Sequence, residues 1–509
     1  MENPAPSLPP DAVRDGLSRR RFLAAAAAGL LTGGLEACTG GKGHRPSPSP
    51  APPTSVGPTT TVAGRARTLR IGYIAEITGP NSGRGELVRA ALDAFSSYVK
   101  DKLGGVYFGV TPSFTPADAP HTPDDGLRAF QDLVAQKVDA ILWCTPFGLS
   151  ENVAAVGASD VPVIAVLADL YSNAGNVTPL LGASATGSFL FQTMLPDAFA
   201  LDVMLAYGAE DRGFASAGLL YDTANYPRVA PLFSSAAAKH GIVSAGTFSY
   251  DSTSGAADLN GPLQALKKVG CQIVMCYGLA DHVSSIAAHL QTLDAKYADT
   301  PTAKRSFKPM VMGPRWGTGD VDFVRLAGNA AARGTISAGA LGSIVSLPNL
   351  PMRKWLHDYR PDYNGGFPRG GEDAVADAAA ALLTAAGRAG STKGDALVSA
   401  LEAGDVTSEA GATAISFGPQ RHLAPSHDDT ALLSLELPPV PYIIGTEWKE
   451  VLPAGYVGPT HLVDYTLAAN TRAHPLLMQQ ILQRHYGTSA TDDYQGGDPV
   501  KVAACRAVH

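Results

Sequence analysis

Residues 68–95 read TLRIGYIAEITGPNSGRGELVRAALDAF. Leu69–Ala75 is a short run of β character, Thr78–Gly85 a turn rich in Gly, Pro and Asn, and an amphipathic helix begins near Glu86. A strand, a loop and a helix in this order open an α/β domain of the kind that binds ligands at the carboxyl ends of its strands. Two nucleotide readings of the loop fail on chemistry. No Lys-Ser/Thr pair follows the glycines to reach phosphate and magnesium, and Val88 stands where a dinucleotide fingerprint needs its third glycine. The glycines are therefore read as backbone turns, and the loop carrying Asn81, Ser82 and Arg84 is expected to face a ligand of another kind.

The same grammar repeats downstream. Strands are expected at Leu69–Ala75, Val106–Phe114, Ala140–Cys144, Val163–Leu167, Ala217–Tyr221, Val243–Tyr250, Ile273–Tyr277 and Pro309–Met312. Helical patterns lie between them at Glu86–Leu103, Pro123–Gln136, Glu151–Ser159, Gly187–Tyr207, Pro227–His240, Gly261–Val269 and His282–Leu293. AILWC, VPVIAVL and QIVMC are continuous apolar runs, as parallel strands covered on both faces require. About four units precede Thr186 and four follow, which predicts two doubly wound, Rossmann-like lobes with a ligand cleft between them. Thr335–Leu341 and Leu432–Leu437 are further strand candidates, and Glu372–Ala389 and Lys393–Leu401 are helices. The Ala-rich first of these reads as packing rather than function. The expected division is 68–188 with 338–437 for the first lobe and 189–337 with 438–453 for the second, leaving 454–509 as a tail of unassigned role.

The first 67 residues have a different character. Ser18-Arg19-Arg20-Arg21-Phe22-Leu23 precedes the apolar run Phe22–Leu31, which is too short to span a bilayer, and then Leu35-Glu36-Ala37-Cys38. The arginines followed by Phe-Leu resemble a twin-arginine export signal, and Leu-x-Ala-Cys resembles a lipobox, whose cysteine is acylated. Residues 1–38 are thus expected to be a signal peptide ending at a lipidated Cys38, and 39–67, rich in Pro, Ser and Thr, a tether. The formal charge of −7 and the lack of a basic stripe argue against a nucleic-acid partner.

The order and spacing of RIGYIAEITGPNSGRGE, DGLRAFQDLVAQKVDAILW, VPVIAV, AGLLYDTANYPR, GCQIVMCYG, PMVMGPRWG and LAGNAAARGTIS resemble the branched-chain amino-acid class of type I periplasmic binding proteins, over Leu69–Leu452. That resemblance implies a monomeric, non-enzymatic receptor that closes around a small polar ligand, amino-acid-like or anionic, and delivers it to an ABC permease. It is held to the membrane by its lipid and needs no cofactor. A sensor or a structural surface lipoprotein with the same fold is the alternative.

Carried over residue by residue, the resemblance puts Arg84 where the family usually has an aromatic. Thr145 and Phe147 fall in the loop after the third strand, with Glu151–Ser159 behind it to add a helix dipole for an anion. Ala168 and Asp169 follow the fourth strand. Tyr226 matches the tyrosine of a D-x-x-x-Y loop, and Leu279 falls at a further pocket position. Arg315 stands where the family's amino-acid binders place an acid to hold the ligand's ammonium. Two readings of it stay open: it grips an anionic ligand, or it pairs with Asp169 or Asp281. Cys271 and Cys276 point to opposite faces of one strand and are not expected to be bridged, and Cys144 reads as core. No Cys/His spacing indicates a metal, and His422-x4-His427-Asp428-Asp429 reads as an exposed loop.

Overall fold

Fully buried apolar strands set the architecture. In the computed structural model, β1 (Arg67–Ala75), β2 (Val110–Asp118), β3 (Ala140–Trp143), β4 (Val163–Ala165) and β5 (Leu190–Gln192) form a parallel sheet in the order β2-β1-β3-β4-β5. The structure describes residues 67–79, 81–173, 180–252, 259–298, 307–314, 316–319, 323, 326–332, 334–340, 355, 371–404, 415–424, 430–435 and 461–462. Every residue of β3 and β4 is buried, as their uninterrupted apolar sequence requires. Helices α1 (Ser82–Lys102) and α2 (Pro123–Ala135) connect the first three strands. Helix α2 starts on a capping box in which Thr122 accepts from the Asp125 amide and Asp125 answers to the Thr122 amide, with Pro123 at the first helical position. Short helices α3 (Val153–Gly157) and α4 (Leu170–Asn173) follow β3 and β4.

After β5 the chain crosses into a second sheet. Helix α5 (Asp197–Ala206) leads to β6 (Ser216–Asp222), α6 (Val229–Lys239), β7 (Val243–Tyr250), α7 (Asn260–Lys268), β8 (Ile273–Tyr277), α8 (Ala280–Ala298), β9 (Met310–Pro314), α9 (Asn329–Ala332) and β10 (Thr335–Ala340). Strands β6 to β10 are parallel in the order β7-β6-β8-β9-β10, the winding of the first sheet repeated. Helices α10 (Gly371–Ala389) and α11 (Gly394–Glu402) return to the first lobe, where α10 joins one core with α1, β1 and β3. Its alanines let α10 lie close against α1 and the sheet, the packing role its composition suggested.

Several boundaries differ from those the sequence suggested. Leu190–Gln192 is a strand of the first sheet, not part of a helix over Gly187–Tyr207: three residues are too few to show a period, and Pro196 precedes the helix. Strand β2 begins four residues later than expected, after a turn with positive φ at Phe108 and Gly109. It carries Pro112 and Pro116, four residues apart and on the same side of the backbone, which an edge strand accommodates because neither nitrogen is needed by β1. Strand β11 (Thr430–Leu435) pairs antiparallel with β10 in the second sheet, not in the first lobe, and β12 (His461–Leu462) adds to it from within the stretch read as a tail. Those two antiparallel additions break the βα rhythm, so extrapolating that rhythm misplaced them.

Cys144, Cys271 and Cys276 are free thiols buried in the cores, and burial pushes the Cys271 thiol up to about 11. Cys38, the leader, the tether and most of 454–509 lie outside the described residues. Among the described residues no helix is long and apolar enough to cross a membrane.

Candidate functional site

In both sheets the strand order reverses beside the first strand of the lobe, between β1 and β3 and between β6 and β8. Open α/β sheets bind ligands outside the carboxyl ends of strands at such points. A cleft open to solvent lies there, lined by Arg84, Pro146, Leu167, Asp169, Asn173, Met194, Asp197, Asn225, Tyr226, Leu279 and Trp316. Arg84, Pro146 and Leu167 follow β1, β3 and β4. Asn225, Leu279 and Trp316 follow β6, β8 and β9. Both lobes therefore contribute to one wall-to-wall site.

The loop after β1 is built tightly. Asp118, at the end of β2, accepts from the Ile77 and Thr78 amides at 2.9 and 3.1 Å. Gly85 closes the turn because a Cβ there would stand 2.2 Å from the Glu76 carbonyl oxygen. Glu76 is fully buried, and its carboxylate accepts from Asn81 Nδ2 and from Arg84 Nη1, each at 2.9 Å. Burial raises the Glu76 pKa, against the opposing pull of Arg84 and Asn81. Arg84 Nη2 reaches across the cleft to donate to Asn225 Oδ1 at 2.9 Å. Asn225 is positioned in turn by Asp222, fully buried at the end of β6. Asp222 accepts from the Ala224 and Ser252 amides, the Ser252 hydroxyl and Asn225 Nδ2. The carboxylate of the D-x-x-x-Y loop thus holds the turn that presents Asn225 and Tyr226.

A second acidic corner lies where the chain crosses between the sheets. Asp169 Oδ1 accepts from the Ser172 amide at 2.9 Å and from Gln192 Nε2 at 3.2 Å, and its Oδ2 from the Asp197 amide at 2.7 Å. Asp169 therefore ties α4, β5 and the start of α5 together. The Asp197 carboxylate makes no hydrogen bond among the described residues, although the residue is 7% exposed and lines the cavity. Burial and then the neighbouring Asp169 charge hold its pKa well above the ordinary carboxylate range. Tyr226 and Tyr277 stand edge to face, 5.2 Å apart, and burial first, then the Asp197 charge, raises both phenol pKa values. Trp316 closes the wall, packed against the N-terminus of α10, where a Cβ at Gly371 would stand 2.5 Å from its ring.

Of the residues expected from the sequence, the structure brings Arg84, Asp169, Tyr226 and Leu279 to the cavity. Asn81 supports Glu76 instead, and Ser82 opens α1 with its amide on the Gly79 carbonyl. Thr145 is fully buried, its hydroxyl accepting from the Phe147 amide at 3.4 Å, and the Phe147 carbonyl accepts from Trp143 Nε1 at 3.0 Å. That loop satisfies itself and offers Pro146 to the cavity, and α3 behind it has only five residues, too short to direct a dipole at an anion. Ala168 is buried in the first-lobe core. Arg315 lies outside the described residues, and the Asp169 carboxylate proposed as its partner is held by the three donors above. His422 is not in an exposed loop: it is fully buried, stacked on Phe191 at 4.0 Å and hydrogen-bonded to the Leu190 carbonyl and Glu402. Among the described residues no group of His, Cys, Asp and Glu could hold a metal ion. Sequence reading missed Pro146, Leu167, Asn173, Met194, Asp197, Asn225 and Trp316; the Leu195-Pro196-Asp197 break before α5 is the one local signal of a junction there.

A family model described as periplasmic binding protein matches residues 68–428. A type 1 periplasmic binding protein from Bordetella pertussis Tohama I superposes with a TM-score of 0.57 at 19% identity, over 73% of this chain and 97% of that one. A solute binding protein of an ABC transporter from Rhodopseudomonas palustris BisB5, in complex with 3,4-dihydroxy benzoic acid, gives 0.56 at 18% identity, over 72% and 93%. The branched-chain amino acid transporter substrate binding protein LivJ from Streptococcus pneumoniae, in complex with isoleucine, gives 0.56 at 16%, over 73% and 97%. No curated protein sequence matches the chain significantly.

Proposed function

The chain belongs to the periplasmic binding protein family, with the two-lobed type I fold, and from that premise we propose that it is a lipid-anchored receptor that captures a small polar solute between its lobes and passes it to an ABC permease. The family is one of solute receptors rather than enzymes, and membership implies an extracytoplasmic location. The observation that carries the reading is a cavity walled by strand-end residues of both sheets, with Arg84 of the first lobe hydrogen-bonded to Asn225 of the second across it. Hinge closure over such a cavity lets each lobe supply half of the ligand contacts, so that binding and closure are one event. Export through the twin-arginine-like leader and acylation at Cys38 would keep the receptor beside its permease, and the Pro-rich tether would give it reach.

Thermal melting of the purified full chain against amino acids, amides, carboxylates, amines and short peptides tests the receptor reading. A ligand at a hundred times its Kd adds about 2.7 kcal/mol and raises the melting point. No shift from any member of so broad a panel would retire the receptor reading. The anchor is tested separately: Cys38→Ala should abolish incorporation of labelled fatty acid and release the protein from membranes.

A further inference from the structure

Charge in the cleft is unevenly distributed. Arg84 is the one cation among the described lining residues, and two of its nitrogens are already engaged, by the Glu76 carboxylate and by Asn225. Its charge is already answered by the buried Glu76 carboxylate, so a ligand carboxylate gains less from it than from a free guanidinium. That weakens Arg84 as a seat for an anionic ligand. On the other side, Asp169 is saturated by three donors while the Asp197 carboxylate, more than nine-tenths buried, faces the cavity with none. Asp197 is the first residue of α5, where the helix dipole favours a negative charge. Its oxygens reach the cavity rather than a donor of the described residues, so what compensates this largely buried carboxylate comes from whatever occupies the cleft. The rings of Tyr226 and Trp316 line the same cavity, and aromatic rings attract cations at close range.

We propose that the cleft takes an organic cation, a solute bearing a protonated amine and no carboxylate, whose nitrogen is seated on Asp197 with its apolar body against Trp316, Leu279 and Met194. This rests on the reading of the cleft as a solute site and specifies the charge of its occupant. An ammonium supplies both the donors and the charge that Asp197 lacks, while a carboxylate on the same skeleton meets two aspartates and an arginine that is already paired.

Three compounds of one skeleton separate these cases: isopentylamine, leucine and 4-methylpentanoate, titrated calorimetrically into the full chain, with a wider set of neutral, anionic and cationic solutes beside them. The expected order is amine tightest, with leucine and the acid much weaker. Asp197→Asn, which keeps the side-chain shape, should weaken the amine by roughly thirtyfold or more and leave neutral solutes unchanged, as loss of one partner from a desolvated charge pair does. The series on the unmodified chain decides the charge class even if that variant folds poorly. Tighter binding of a carboxylate, or an amine affinity indifferent to Asp197→Asn, overturns the proposal while leaving a solute receptor in place. Binding by no member of any class overturns the receptor reading and this inference with it.

Discussion

Two buried carboxylates border one cleft and are treated in opposite ways. Glu76 is fully buried and receives Arg84 and Asn81, so its charge is answered from within the same loop. Asp197 is nearly as buried, stands beside a second aspartate, and receives no donor. The difference separates structure from recognition. A carboxylate compensated by its own loop fixes the geometry of that loop, whereas one left uncompensated at a cavity wall leaves its compensation to whatever enters. The comparison also shows why residue type alone misled. An arginine in a ligand loop looks like an open cation, and only its partners reveal that the charge of Arg84 is already answered.

The largest effect is expected where the compensated corner is broken. Arg84→Met keeps much of the side-chain volume but leaves Glu76 buried without a cation, and should cost about 3 kcal/mol of unfolding free energy by chemical denaturation. A loss below about 1 kcal/mol would mean that water reaches Glu76 and that the two corners are less different than their burial suggests.

The uncompensated corner should respond with the opposite sign. Burial and Asp169 raise the Asp197 pKa in the folded protein, and Tyr226 and Tyr277 are the other titratable groups around it. A raised carboxyl pKa means the folded state holds the proton more strongly than the unfolded chain. Its contribution therefore favours folding below the unfolded carboxyl value and is lost as pH rises through the folded one. Without added amine, Asp197→Asn should accordingly be more stable than the unmodified chain near pH 7, by about 1 kcal/mol, and the gap should close as pH falls toward about 4. A variant less stable at every pH would make Asp197 a helix-terminal support rather than an open acceptor.

The contact linking the lobes ranks next. Asn225→Ala removes the acceptor for Arg84 Nη2 and should cost about 1 kcal/mol of closure, the net worth of one such hydrogen bond. Small-angle scattering should then show a larger radius of gyration for the variant, with Arg84 still paired to Glu76. An unchanged radius would place the hold between the lobes elsewhere, Trp316 against Gly371 being the next contact to alter.

What could be read in the sequence follows physical range. Continuous apolar runs marked β3, β8 and their neighbours because burial on both faces leaves no room for polar residues, and Val243–Tyr250 and Ile273–Tyr277 coincide with the observed strands. The loops after strands were legible too, since the winding itself sends them to one edge, and so Arg84, Asp169, Tyr226 and Leu279 were named. The rest depends on contacts between distant positions. Whether Thr145 turns outward or accepts from Phe147, whether Arg84 is engaged by Glu76, and where Thr430–Leu435 pairs are settled by partners that no local pattern encodes. Asp197 was invisible for the same reason, because an aspartate at a helix start is ordinary until its hydrogen bonds are counted.

The smallest effect belongs to a pair on the same helix as Arg84. Arg89 donates to Glu86 at 2.8 Å, three residues back, with both side chains more than half exposed. The ion pair is as short as that of Arg84 with Glu76, so distance alone would rank the two as equals. Exposure sets them apart: water solvates Glu86 whether or not Arg89 is present, and holding two long side chains together has an entropic cost. Arg89→Ala should therefore change stability by less than about 0.5 kcal/mol, and added salt should erase even that. A loss approaching that of Arg84→Met would show that charge count on α1, rather than burial of the partner carboxylate, governs both, and the contrast between the corners of the cleft would lose its basis.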